Sequence, residues 1–149
     1  MNLTDTQPLR GDFCLQVWRN TPHGPQLIEQ IDERNMIVNG AKSQLARLIG
    51  GDPANRHINR IGFGVGLSPA SPQDSALTGA HIKPLSATAY PQPGHVRFDW
   101  SLSAGEANGR AITEFGLICA DGTLFARKSR APIEKDADLS LTGSWTILF

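Results

Sequence analysis

Residues 111–128 read AITEFGLICADGTLFARK, two apolar runs joined through Asp121-Gly122. Asp-Gly between such runs is a strong hairpin signal, because glycine accepts the positive φ that a tight turn demands. The spacing predicts strands over 111–119 and 123–128. Just upstream, Val96, Phe98, Trp100 and Leu102 alternate with His95, Arg97, Asp99 and Ser101, the period of a strand with one buried and one wet face. Downstream, Leu139, Leu141, Trp145, Ile147 and Phe149 share one parity, so the last strand is expected to run to the end of the chain. Phe149 then needs packing, either in the chain's own core or against a partner.

The front of the chain adds a hairpin, a helix and a glycine strand. Residues 1–11 are polar and predict a flexible lead-in, leaving 12–149 as one domain. Phe13, Leu15 and Val17 alternate with Cys14, Gln16 and Trp18, and Thr21-Pro22-His23-Gly24-Pro25 is turn chemistry before a return strand over 26–32. Ile37, Ala41, Leu45 and Leu48 fall on one helical stripe, with Asn35 as candidate N-cap and Gly50-Gly51 as the stop. Gly40 within that helix costs about 1 kcal/mol against alanine, which points to close packing on a sheet. Ile61, Phe63 and Val65 alternate with glycines over 57–66, and the Ser/Pro/Gly-rich stretches 67–80 and 85–94 predict loops. The expected fold is mainly β: an antiparallel β-sandwich with one α-helix packed on it.

Composition narrows the function. The 149 residues carry 14 Lys+Arg against 14 Asp+Glu, so there is no basic surplus of the kind nucleic-acid binding uses. Zero net charge also means little self-repulsion, which suits a subunit inside an assembly. No run approaches the about 18 apolar residues of a membrane span, and no apolar leader opens the chain, so neither membrane insertion nor export by a signal is expected. The chain is expected to stay in the cytoplasm or to leave it as part of something larger. Cys14 and Cys119 lie far apart without CxxC spacing and read as free, buried thiols; a disulfide between strands is the alternative.

No motif announces catalysis or a cofactor. Gly62-Phe63-Gly64-Val65-Gly66 is followed by Ser68-Pro69, which cannot open the helix that a dinucleotide fingerprint requires, so glycines allowing close approach of another backbone are the better account. His23, His57, His81 and His95 have no metal-ligand spacing. His95, Asp99 and Ser101 share a strand face but read as solvated, and Glu106 and Glu114 have nothing to fix their separation as paired carboxylates. Trp100 and Trp145 share parity with core residues, whereas Trp18 is the aromatic that can form an exposed platform for sugar rings. Arg127, Lys128 and Arg130 form the one basic run, either guarding a sheet edge or docking an acidic partner. The acidic stretch 134–138 can neutralise it within the fold or across a subunit boundary. Trp18, Arg127, Lys128, Arg130 and Phe149 are thus the candidate assembly or binding surface.

Four segments, Gly105-Glu-Ala-Asn-Gly109, Ile112-Thr-Glu-Phe-Gly-Leu117, Asp121-Gly-Thr-Leu-Phe-Ala-Arg127 and Leu139-Ser-Leu-Thr-Gly-Ser-Trp-Thr-Ile147, resemble small structural proteins of tailed bacteriophages and prophages. The likeness is greatest to proteins of the tail-tip, baseplate and tail-fibre region. Asn39–Gly51 with Ile58–Gly66 is similar to the helix and glycine strand of the same group, and together these cover about two-thirds of the chain. The resemblance implies a place in the virion, other tail proteins as partners, a homo-oligomer with a trimer favoured, and no catalytic residues. The chain has no extended repeat and no receptor-binding tip of a long fibre, so it would be a connector or baseplate accessory. A receptor- or carbohydrate-binding β-sandwich module is the other reading.

Overall fold

The alternation around Phe13, Leu15 and Val17 does specify a strand. The structure, a computed structural model describing residues 9–149, starts it at Arg10. Of the lead-in expected over 1–11, residues 1–8 lie outside the described residues, and Arg10 and Gly11 already pair with neighbouring strands. The elements are β1 (Arg10–Thr21), β2 (Gly24–Ile37), α1 (Asn39–Ile49), β3 (Ile58–Gly64), β4 (His81–Pro84), β5 (Ala87–Ala89), β6 (His95–Leu102), β7 (Ala111–Cys119), β8 (Leu124–Glu134) and β9 (Leu139–Leu148). The fold is therefore mainly β with one short helix among the described residues. The strands pair antiparallel in one nine-stranded sheet of order β4-β3-β7-β8-β2-β1-β9-β6-β5.

The sheet curls on itself. Phe13 of β1 meets Phe115 of β7 with ring centroids 5.0 Å apart, and Trp100 of β6 meets Phe63 of β3 at 5.6 Å. These contacts draw one cluster from both halves, with Phe13, Phe63, Phe115 and Trp145 wholly buried. Among the described residues, the ladders of the two halves join where β2 pairs with β8, at Met36↔Arg127 and Ile37↔Ala126. From Pro25 to Asn35, β2 is bonded along one side only, to β1.

Several local expectations shift. Asn35 lies in β2, where its Oδ1 accepts the Trp145 indole N–H at 2.7 Å, and Val38 takes the N-cap without a side-chain bond. Gly40 does mark close packing: a Cβ there would stand 2.7 Å from the Leu124 carbonyl oxygen. The edge strands β4 and β5, four and three residues long, fall in stretches whose prolines mask any alternation. The last strand stops at Leu148 and lies between β1 and β6, paired on both sides.

Segment 65–80 folds over the outer face of β3, β7 and β8. Leu77 sits where a Cβ on Gly62 or Gly116 would stand, 2.6 and 2.8 Å from its Cδ1. Leu77 packs against a second small cluster of Val38, Ile118 and Leu124. All but the first of the nine residues of β7 are consequently buried.

Candidate assembly surface

The basic run does not form one patch. Arg127 points under segment 65–80 and is only 2% exposed. Its guanidinium donates to Glu114 Oε1 at 2.9 Å, to Asp74 Oδ2 at 3.0 Å and to the Ser68 carbonyl at 2.9 Å. Glu114, itself buried, also accepts the N–H groups of Gly66 at 2.5 Å and Thr78 at 3.0 Å. Gly64 and Gly66 make room for that carboxylate: a Cβ on either would lie 2.6 or 2.3 Å from Oε2. The glycines thus admit a side chain, where close approach of a backbone is the sequence expectation. Arg127 is removed from the docking surface because burial of its charge requires these partners.

Lys128 and Arg130 face the other way, across the gap between β8 and the free side of β2. Lys128 Nζ donates to Glu33 Oε2 at 2.6 Å and Arg130 pairs with Glu29. The Lys128 ammonium holds the Glu33 carboxyl below its ordinary value, chiefly through that hydrogen bond. Neutralisation of the basic run comes from Glu29, Glu33, Glu114 and Asp74. None of the acids at 134–138 pairs with it. Within that acidic stretch Lys135 is itself buried, donating to Asn108 Oδ1 at 2.8 Å, and burial pushes its ammonium pKa down.

Trp18 lies half-buried on the outer face of β1, with its indole N–H donated to Thr142 Oγ1 at 2.9 Å. Thr142 in turn donates to Gln16 Oε1. Register places Gln30, Gln16, Thr142 and Ser101 in one row across this face, and Asp32, Cys14, Ser144 and Asp99 in the next. Asp99 is engaged by Arg97 at 2.9 Å, while His95 contacts Gln92, so no His–Asp–Ser relay is assembled. Glu106 accepts from Lys83 and from the Ser103 N–H, which lower its pKa to about 2, and it forms no pair with Glu114. Cys14 is half-buried and Cys119 buried; both are free, and burial pushes both thiols up. No group of three His, Cys, Asp or Glu among the described residues is arranged to hold a metal ion, and no helix among them is long and apolar enough to cross a membrane.

Phe149 marks an apolar open surface. Beyond the end of β9 its N–H donates to the Gly94 carbonyl at 2.9 Å, and the residue stays 64% exposed. It stands on the rim of a groove of about 350 Å³ walled by Leu45 and Leu48 of α1, Val96 and Phe98 of β6, Phe125 and Ile147. Tyr90, 78% exposed, stands on the rim as well. Arg56, His57 and His95 are among the lining residues, and no Asp or Glu is. The sequence signal for this groove was a lone tyrosine held between Ala89 and Pro91 in a connector, together with the wide apolar stripe of α1.

No protein-family model matches this chain, and no curated protein or solved structure matches it.

Proposed function

We propose that this protein is a structural subunit of a phage tail, at the baseplate, the tail tip or a fibre connector, acting through protein–protein assembly and without catalysis. In this reading the two halves of the curled sheet are the layers of a β-sandwich, and the subunit forms a homo-oligomer, with a trimer favoured, that assembles in the host cytoplasm and ends in the virion. The observation that carries it is the groove beside Phe149, where exposed Tyr90, Phe149 and Leu48 surround an apolar hollow. Contiguous exposed apolar surface of that kind marks interaction sites. The tail assignment itself rests on the sequence resemblance. Mass spectrometry of purified particles tests it: the chain should co-purify with tails at a fixed stoichiometry, and its absence from particles made by its host would refute the assignment.

The second reading, a receptor- or carbohydrate-binding module, draws on Trp18. Its indole lies on a sheet face whose neighbours are hydroxyl, amide and carboxylate side chains, the mixture that recognises sugar hydroxyls beside a stacking ring. Glycan-array binding abolished by Trp18→Ala would favour it, and an empty array would remove it.

A further inference from the structure

Among the described residues, Arg127 and Lys135 are the two buried cations, and they are housed differently. Arg127 meets two carboxylates, Glu114 and Asp74. The Lys135 ammonium has only neutral oxygens as hydrogen-bond partners among the described residues. They are Asn108 Oδ1 at 2.8 Å, the Asp136 carbonyl at 3.0 Å and the Ala104 carbonyl at 3.3 Å. Burying an ammonium without a counter-charge in contact is costly, so such a site favours the neutral amine. Burial pushes the Lys135 pKa down, against the opposing charges of Asp136 and Glu106. A neutral lysine amine is a nucleophile.

The group it touches is an electrophile. Asn108 presents a primary amide, whose Cγ lies one bond beyond the oxygen that Nζ meets. The backbone holds the two residues together at the open base of the β7–β8 hairpin, just beyond the pair Ala111↔Glu134. There the Gly109 N–H donates to the Lys135 carbonyl and the Lys135 N–H to the Arg110 carbonyl, each at 2.9 Å. The Ala104 carbonyl accepts from Lys135 Nζ and, at 3.0 Å, from Asn108 Nδ2, so the two nitrogens share one oxygen. Asn108 is itself exposed, which gives a small leaving group a path to water.

We propose that Lys135 and Asn108 join in an intramolecular isopeptide bond. Lys135 Nζ attacks Asn108 Cγ, the Nζ–Cγ bond forms, and the Cγ–Nδ2 bond breaks. Nδ2 leaves as ammonia with the proton that the attacking nitrogen gives up. Counted from the ammonium form, each bond releases one ammonium ion, and no oxidant, reductant or co-reactant is consumed. The product is an uncharged amide, so the reaction also removes the buried charge. Amide aminolysis is slow between free molecules, but effective molarities for well-oriented groups reach about 10⁵–10⁸ M. The competing attack on Cγ, from the Gly109 nitrogen, is opposed because that N–H is held by the Lys135 carbonyl. The bond would lock the base of the hairpin that carries Glu114 and Arg127, wherever the subunit is used.

The full chain, kept for days in mildly alkaline buffer and then digested with trypsin, tests the bond by peptide mass. Peptide 98–110 should appear joined to 131–149, lighter than the two together by one ammonia, because a modified Lys135 is no longer cut. Lys135→Met and Asn108→Ala should each abolish the joined species; the second alters an exposed side chain, so it remains informative if the first does not fold. Chain kept in concentrated urea for the same time should stay unjoined. A wild type that yields 98–110 at full mass and is cut after Lys135 overturns the proposal. Loss of ammonia from 98–110 alone marks a succinimide at Asn108-Gly109 and also overturns it. So does a joined species that survives Asn108→Ala or forms equally in urea.

Discussion

The two halves of the curled sheet bury their strands in different ways. In β7 almost every residue is covered, because the core lies on one face and segment 65–80 on the other. In β1 and β6 burial alternates, because the outer face is open to solvent. A doubly covered strand must be apolar throughout or must pair whatever charge it hides. The clad half does the second, burying Glu114 against Arg127; in the open half β6 carries its charges outward, as with Arg97 and Asp99. A mid-strand charge therefore has opposite consequences in the two halves.

Breaking the buried pair is the most severe test of that difference. Glu114→Ala leaves Arg127 at 2% exposure with Asp74 as its remaining carboxylate and frees the Gly66 and Thr78 N–H groups, so a loss of about 3–5 kcal/mol in urea unfolding is expected. Hydrogen exchange at Gly66 and Thr78 should accelerate in parallel, because the covering segment loses its anchor. The double variant Glu114→Leu/Arg127→Met should recover only part of that loss, since it removes the buried charge but leaves the Gly66 and Thr78 N–H groups and Asp74 without these partners. A single Glu114→Ala variant of near wild-type stability would mean the charge is not confined as described.

The open half has its own weak point on the inner side. A Cβ on Gly143 would stand 2.2 Å from Trp100 Cζ2 and 2.4 Å from the Cys14 carbonyl oxygen. Gly143→Ala should cost about 1–3 kcal/mol by overpacking, read from the urea midpoint. The seam between halves is more forgiving: Lys128→Ala and Arg130→Ala should each cost about 0–1 kcal/mol and less at high salt, because Glu33 and Glu29 are largely in water. If either seam variant approaches the Glu114→Ala loss, the join between β2 and β8 depends on side chains more than its two backbone pairs suggest.

Legibility in the sequence follows the same divide. Strand β6 is readable residue for residue because its open face forces alternation, and Trp100 and Trp145 take the buried positions their parity predicts. The DG hairpin is equally local: Gly122 has φ 94°. Arg127 misleads because its neighbours Lys128 and Arg130 make a run that reads as solvated, while its burial depends on a segment some 50 residues away in sequence. A trace of that arrangement was present, since Gly62, Gly64 and Gly66 recur at the strand period and the last two vacate the space that Glu114 fills. What no local pattern announces is which strand those glycines face. Phe149 was legible as an apolar end to be packed in the chain's own core or against a partner, and it lies outside the core, exposed; that β9 would be central, with no free edge to offer, depends on sheet order, which periodicity does not encode.

The smallest effect lies where the halves meet again, at Glu106. It links Lys83 of the edge strand β4 to the loop leaving β6, with Lys83 Nζ at 2.8 Å and the Ser103 N–H at 3.0 Å. These donors, Lys83 first, lower its pKa from 4.5 to about 2. A carboxyl depressed on folding adds stability that is complete above its unfolded pKa and lost as pH falls through the folded one. The contribution of Glu106 should therefore be constant above pH 4.5 and should disappear between 4.5 and about 2. Because Glu33, Asp52 and Asp121 are also depressed, the wild-type curve alone mixes several titrations. Glu106→Gln isolates one of them: the stability gap between variant and wild type should be below about 1 kcal/mol at neutral pH and close as the solution is acidified. A gap that persists at pH 2 would assign the residue a packing role and leave the link between β4 and the β6–β7 loop without its electrostatic part.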